Sequence, residues 1–86
     1  MKKLLLVLFF VPLISFGQTS AEYFNNGLEK MEKRDYKGAI TDYTKSIELD
    51  SNHADAYINR GIAKNKLRNH SGAIADFTKA IELEPN

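Results

Sequence analysis

The chain has 86 residues, with 12 lysines and arginines against 11 aspartates and glutamates, and no cysteine. This length allows one small domain. Without cysteine there is neither a disulfide nor a lipid-modified cysteine, so packing alone must hold the fold. The balanced charge argues against a nucleic-acid-binding surface and is typical of a solvated helical exterior.

The first 17 residues have the three parts of a secretory signal peptide. Lys2 and Lys3 form a positive start, Leu4 to Phe16 is an apolar run, and Ser15-Phe16-Gly17 is a small-x-small cleavage site. We therefore predict cleavage after Gly17 and export to the periplasm or the extracellular space. The alternative is a membrane anchor formed by an uncleaved signal, but a helical run of this length covers roughly 20 Å, short of the ~30 Å hydrocarbon core.

Residues 20–52 and 54–86 repeat each other at a spacing of 34 residues. Of the 33 aligned pairs, 15 are identical, and the agreement includes Gly38-Ala39-Ile40 against Gly72-Ala73-Ile74. Several of the mismatches keep size or character. An internal repeat of this period is the strongest feature of the sequence and is typical of a stacked repeat array.

Each repeat carries two amphipathic helical faces. The first helix is predicted over about Ala21 to Lys33, and a second follows with Asp35 as its amino-terminal cap. The second repeat gives two more helices, the last one after Asn69. Apolar or small residues recur at three-and-four spacing in the four helices at Tyr23, Phe24, Gly27, Leu28 and Met31; at Tyr36, Ala39, Ile40, Tyr43 and Ile47; at Tyr57, Ile58, Gly61, Ile62 and Leu67; and at Ala73, Ile74, Phe77, Ala80 and Ile81.

Small residues recur where paired helices must approach closely. A helical glycine costs roughly 1 kcal/mol relative to alanine, so its presence at the same place in both repeats indicates a compensating tight contact. We predict inward positions for Gly27, Gly61, Ala39, Ala73, Ser46 and Ala80.

Residues suited to catalysis or metal binding are sparse. His53 is predicted in the loop between the repeats and His70 at the start of a helix, neither with a second ligand at metal spacing. The recurring acids Asp42 and Asp76, like Glu48 and Glu82, are interpreted as solvated residues rather than acid-base pairs. We therefore predict no enzymatic activity, cofactor or metal site.

Two segments of the second repeat resemble the tetratricopeptide repeat (TPR): Tyr57-x-x-Arg60-Gly61-x-Ala63 and residues 72–86, GAIADFTKAIELEPN. The resemblance covers Ser20 to Asn86. The family's aromatic, glycine, alanine and proline positions are matched by Tyr57, Gly61, Ala73, Phe77, Ala80 and Pro85. The first repeat departs from the pattern at Ser46, Ser51 and Asn26, and Lys30 and Lys64 both stand where an aromatic is favoured.

This resemblance implies an all-α, right-handed solenoid of two helical hairpins, four antiparallel helices in all, behind a signal helix. With the signal peptide predicted above over residues 1–17, the expected organisation is a short lead-in over 18–22 and repeats over 20–53 and 54–86. It also implies a protein or peptide partner in a concave groove on the first helix of each repeat. That groove would be lined by Phe24, Asn25, Leu28, Ile58, Asn59, Ile62 and Lys66.

Some family members clamp chaperone tails with lysine and asparagine side chains. Asn25 and Asn59 match the asparagines, but Phe24 and Leu28 replace the polar partners of such a clamp. The partner therefore stays open at this point. We expect no nucleic acid, and membrane contact only through an uncleaved signal.

An array of this kind normally needs about three repeats and a polar cap, because one repeat cannot bury its apolar face alone. Here Glu84-Pro85-Asn86 matches Asp50-Ser51-Asn52, the linker into the next helix. We expect either that the chain is the leading part of a longer protein, or that a partner or a second copy covers Phe77, Ala80 and Ile81. The latter would make it a self-assembling scaffold of the envelope.

Overall fold

A computed structural model describes residues 17–84, and these fold into four helices without a strand. Helix α1 spans Ser20–Glu32, α2 Tyr36–Leu49, α3 Ala54–Lys66 and α4 His70–Leu83. This confirms the predicted all-α class and the four helices. The predicted signal lies outside the described residues, apart from Gly17. Within 17–84, no helix combines the length and the apolar character needed to cross a bilayer.

Short polar side chains cap the amino-terminal ends of three of the helices. Thr19 forms a capping box with Glu22 at the start of α1, with hydrogen bonds of 3.1 Å and 2.8 Å in the two directions. The Asp35 carboxylate accepts from the Gly38 amide, and the Asn69 side-chain oxygen Oδ1 accepts from the Gly72 amide, both at 3.0 Å. The predicted cap at Asp35 and the start after Asn69 are therefore confirmed.

Each hairpin turns at an arginine in the left-handed conformation. Arg34 has φ 62° and Arg68 has φ 67°. After α1, the Arg34 amide bonds to the Met31 carbonyl at 3.0 Å and the Asp35 amide to the Lys30 carbonyl at 2.8 Å. Those two bonds make a Schellman motif, which supplies hydrogen-bond donors to carbonyls that have no partner within the helix. The chain reverses direction at this motif. The same turn follows α3.

The helices pack mainly against their neighbours in sequence, α1 on α2, α2 on α3 and α3 on α4. Close approach within each hairpin rests on small residues facing aromatic rings, because Gly27 lies against Tyr43 and Gly61 against Phe77. The inward positions predicted for small residues are confirmed, since all six are buried: Gly27, Gly61, Ala39, Ala73, Ser46 and Ala80.

Tyr43 is the largest fully buried side chain of the described residues. Its ring lies 5.7 Å from that of Phe24, and burial raises the pKa of its hydroxyl to about 12, with help from the neighbouring Asp42 charge. Tyr43 therefore stays neutral and acts as the fixed centre of the first hairpin.

One apolar cluster joins the two repeats. It consists of Ile47, Ala54, Ala56, Tyr57 and Ala80, with Phe24 and Leu83 packed against it. The side chains come from α2, α3 and α4, with Phe24 from α1, so both hairpins share this core. Burial of this cluster fixes how α3 lies on α2.

The interpretation of Asp42 and Asp76 as solvated residues is wrong. Their exposed fractions are only 7% and 4%. Each lies on the second helix of a hairpin and pairs with a lysine on the first: Lys30 Nζ is 2.8 Å from Asp42 Oδ2, and Lys64 Nζ is 3.0 Å from Asp76 Oδ2. A buried carboxylate needs such a partner, since desolvation of a lone charge is costly.

Candidate functional site

Exposed apolar side chains lie on the first helix of each hairpin. Leu28 on α1 is 40% exposed, and Ile58 and Ile62 on α3 are each 37% exposed. Ile58 and Ile62 are four residues apart, so they lie on one face of α3. Leu28 occupies the same place in its repeat as Ile62. We call Leu28, Ile58 and Ile62 the apolar stripe.

Phe24 belongs to the core more than to the stripe. Its ring is half-buried, 5.7 Å from the Tyr43 ring and 4.6 Å from the His53 ring. Its counterpart Ile58 is more open because no residue of the described chain covers it as His53 covers Phe24. Phe24 therefore bounds one end of the stripe.

Polar side chains make up the rest of the predicted groove. Asn25 and Lys66 are exposed, and Asn59 is half-buried. Asn25 and Asn59 directly follow Phe24 and Ile58 on their helices, so each lies about 100° around the helix from these apolar side chains. The structure thus provides apolar side chains with amide groups alongside, and the exposed cation of Lys66 at the end of α3.

A hollow of about 190 Å³ continues from the stripe toward the end of α4. We call it the end hollow, and its walls are Ile58, Phe77, Ala80, Ile81 and Glu84. Ile58 belongs both to this hollow and to the apolar stripe. The sequence pattern predicts that Phe77, Ala80 and Ile81 form an exposed face. In the structure Ala80 is only 5% exposed, whereas Ile81 is 63% exposed.

Arg60 on α3 makes side-chain hydrogen bonds to two other helices. Its guanidinium makes two hydrogen bonds to the Asp76 carboxylate, at 2.9 Å and 2.7 Å, and a third to the Thr44 hydroxyl at 3.1 Å. It thereby connects α2, α3 and α4. Burial of Asp76 works to raise its pKa, but hydrogen bonds from Arg60 and Lys64 outweigh it and hold that pKa below its usual range.

The first hairpin has a simpler version of the same arrangement. Asn26 stands at the position of Arg60, and within residues 17–84 the ion-pair partner of Asp42 is Lys30. The hydrogen bond to Asp42 raises the pKa of Lys30. One sequence signal for these pairs existed: a lysine replaces a favoured aromatic in both repeats, and an aspartate follows 12 residues later each time.

The two histidines differ in burial and in the side chains that they contact. His53 precedes α3, packs on Phe24, and places Nδ1 3.5 Å from the Ser46 hydroxyl. His70 is exposed at the start of α4, with Nδ1 2.9 Å from the Asn65 side-chain oxygen. Among residues 17–84, no group of three or more histidine, cysteine, aspartate or glutamate side chains is placed to hold a metal ion.

Comparison with known proteins agrees with this geometry. The family profile described as "Tetratricopeptide repeat" matches residues 54–86, and the one described as "TPR repeat" matches residues 27–67. The chain belongs to the tetratricopeptide repeat family. TPR folds are in general protein-interaction folds, so this TPR chain is a protein-protein interaction module in that general sense.

Among solved structures, the TPR domain of Arabidopsis OM64 is similar to this TPR chain. The two are 33% identical with a TM-score of 0.76, over 78% of this chain and 55% of that one. The chain thus spans about half the length of this relative. No curated protein matches it.

Proposed function

We propose that this TPR chain is an exported module that binds an apolar or amphipathic segment of a partner protein along α1 and α3. The observation that carries the proposal is the apolar stripe, in which Leu28, Ile58 and Ile62 stay 37–40% exposed on the first helix of each hairpin. Exposed apolar side chains at equivalent places on the first helix of each hairpin are suited to a contact that removes them from water.

The neighbouring polar groups suit the backbone of a bound segment. An asparagine side chain offers both a donor and an acceptor, so Asn25 and Asn59 can each bond to a peptide group of an extended or helical partner. Lys66 is exposed and favours an acidic residue at one end of the segment. The bound segment would therefore combine two or three apolar side chains with an acidic end.

The stripe can be tested with peptides selected from a displayed random library on the 86-residue chain. The selected peptides should be rich in apolar residues, and the double change Leu28→Glu with Ile62→Glu should weaken their binding by at least about tenfold, because two apolar contacts are replaced by desolvated charges. Fluorescence anisotropy of a labelled selected peptide measures the change.

Leu49→Glu is the matched control, because Leu49 is an exposed leucine (57%) on α2, outside the stripe. It should leave peptide binding unchanged. The proposal is wrong if the library yields no enriched peptide, or if the stripe variant binds the selected peptide as well as the control does.

Export is a separate part of the proposal and rests on the positive, apolar and small-residue order of residues 1–17. Mass spectrometry of the chain recovered outside the cytoplasm should give a product that begins at Gln18. A chain that keeps Met1 to Gly17 and sediments with membranes would instead show an uncleaved anchor.

A further inference from the structure

Gln18 becomes the first residue of the chain when the signal is removed after Gly17. Its side chain is exposed, and the residue belongs to the short segment that precedes α1. Cleavage converts its backbone nitrogen from a peptide amide into a free α-amino group. The residue then carries an amine and a carboxamide that can react with each other.

The reaction open to such a residue is ring closure to pyroglutamate. The α-amino nitrogen attacks the side-chain carbon Cδ, the bond between Cδ and Nε2 breaks, and Nε2 leaves as ammonia with the proton that the amine gives up. No water, oxidant or reductant is consumed. The new ring is an unstrained lactam formed within one residue, so the reacting groups are held close together. An α-amino group is partly neutral, and so nucleophilic, at neutral pH.

The surroundings of Gln18 are compatible with this change. Its Oε1 accepts a hydrogen bond from Asn26 Nδ2 at 3.3 Å. That oxygen survives as the lactam carbonyl, whereas the atom that leaves is Nε2. The Thr19 amide, which donates to the Glu22 carboxylate at 2.8 Å, is a peptide nitrogen and takes no part in the reaction. The start of α1 therefore keeps its capping box after cyclisation.

Very little chain separates the predicted cleavage point from the folded part. Thr19, the N-cap of α1, is the second residue of the predicted mature chain, and Ser20 is the third. The Ser20 hydroxyl donates to the Ser46 carbonyl at 2.8 Å and so connects α1 to α2. Removal of residues 18–20 by an aminopeptidase would therefore take away both the α1 cap and this connection.

We propose that Gln18 of the exported chain is a modification site, that it is cyclised to pyroglutamate, and that the lactam protects the start of α1 from aminopeptidases. These enzymes bind a free α-amino group, which pyroglutamate lacks. Gln18 and Thr19 are both exposed and precede the helix, so an unblocked end would be accessible to them. The inference rests on the proposed function in taking the signal to be cleaved after Gly17.

The first test is mass spectrometry of the chain recovered outside the cytoplasm and kept at neutral pH until its mass is constant. We expect residues 18–86 with a mass lower by one ammonia, a loss that fragmentation places at residue 18. Pyroglutamyl peptidase should then release that residue and expose Thr19. A chain that begins with unmodified Gln18 would overturn this inference alone and leave the export proposal standing. Any other first residue would overturn the predicted cleavage site, and this inference with it.

Gln18→Asn is the matched control, because asparagine keeps the carboxamide but could close only a smaller, strained lactam. A broad-specificity aminopeptidase should shorten this exported variant from residue 18, while the native exported chain keeps its length over the same time. Intact mass follows both reactions, and circular dichroism checks that the two chains have the same helix content. Shortening of the native chain at the rate of the variant would overturn the protective role of the lactam.

Discussion

Asp76→Asn is expected to lower the free energy of unfolding by about 3 kcal/mol, because it removes one charge of a buried cluster and leaves the others behind. Asp76 is 4% exposed, and the side chains of Arg60 and Lys64 are only 16% and 20% exposed. Stabilities of small domains are only about 5 kcal/mol or somewhat more, so this variant should be close to unfolding. Urea denaturation followed by circular dichroism measures the loss.

Asp42→Asn is the matched control and should lower the free energy of unfolding by only about 1 kcal/mol. Asp42 has Lys30 as its ion-pair partner, and the Lys30 side chain is 41% exposed, so water can solvate it once the pair is broken. Equal losses in the two variants would contradict the view that Arg60 and Lys64 make the second carboxylate special.

The pH dependence of the free energy of unfolding should also distinguish the native chain from the Asp76→Asn variant. The pKa of Asp76 is held below its usual value in the folded chain, so its contribution to stability is fully present above about pH 4, where the unfolded carboxyl is ionised, and is lost as the pH falls through the folded pKa. The Asp76→Asn variant lacks this group and should lose less stability between pH 5 and pH 2, taken as approximate limits.

Gly27→Ala should destabilise the chain by roughly 2 to 3 kcal/mol, although alanine is the better helix former by about 1 kcal/mol. An added Cβ would lie 2.5 Å from Cε1 of Tyr43. The Tyr43 ring is fully buried and cannot move aside without disturbing the first hairpin. Thermal unfolding of the variant would report the loss as a lower Tm.

Gly61→Ala is the internal comparison, and it should lower the free energy of unfolding distinctly less than Gly27→Ala does. Its added Cβ would lie 2.7 Å from Cε1 of Phe77, but that ring is half-buried and borders the end hollow, so it has room to shift. A Gly27→Ala variant as stable as the native chain, or one no worse than Gly61→Ala, would show that Tyr43 is not a rigid wall.

Features set by local sequence were predictable. The four helices follow from apolar spacing, and the starts at Asp35 and Asn69 follow from cap chemistry, because both depend on residues within one or two turns. The predicted start of the first helix at Ala21 lies one residue after the observed start at Ser20. The repeat also located the tight contacts at Gly27 and Gly61.

Features set by neighbouring elements were not predictable from such patterns. Periodicity gives the inward face of a helix but does not say which other residue covers a given position. Phe24 and Ile58 occupy equivalent positions in the two repeats, yet the His53 ring packs on Phe24 only, because His53 lies in the linker that follows the first repeat. The burial of Asp42 and Asp76 depended on lysines across each hairpin, and polarity alone suggested solvent.

The succession of contacts along the chain also bears on how the protein folds. Within residues 17–84, the main helix contacts join α1 to α2, α2 to α3 and α3 to α4, through turns only a few residues long. Such a topology has a low contact order, so little loop entropy is lost before the contacts form. A hairpin can therefore nucleate locally, and the Thr44, Arg60 and Asp76 bonds then couple its formation to that of its neighbour.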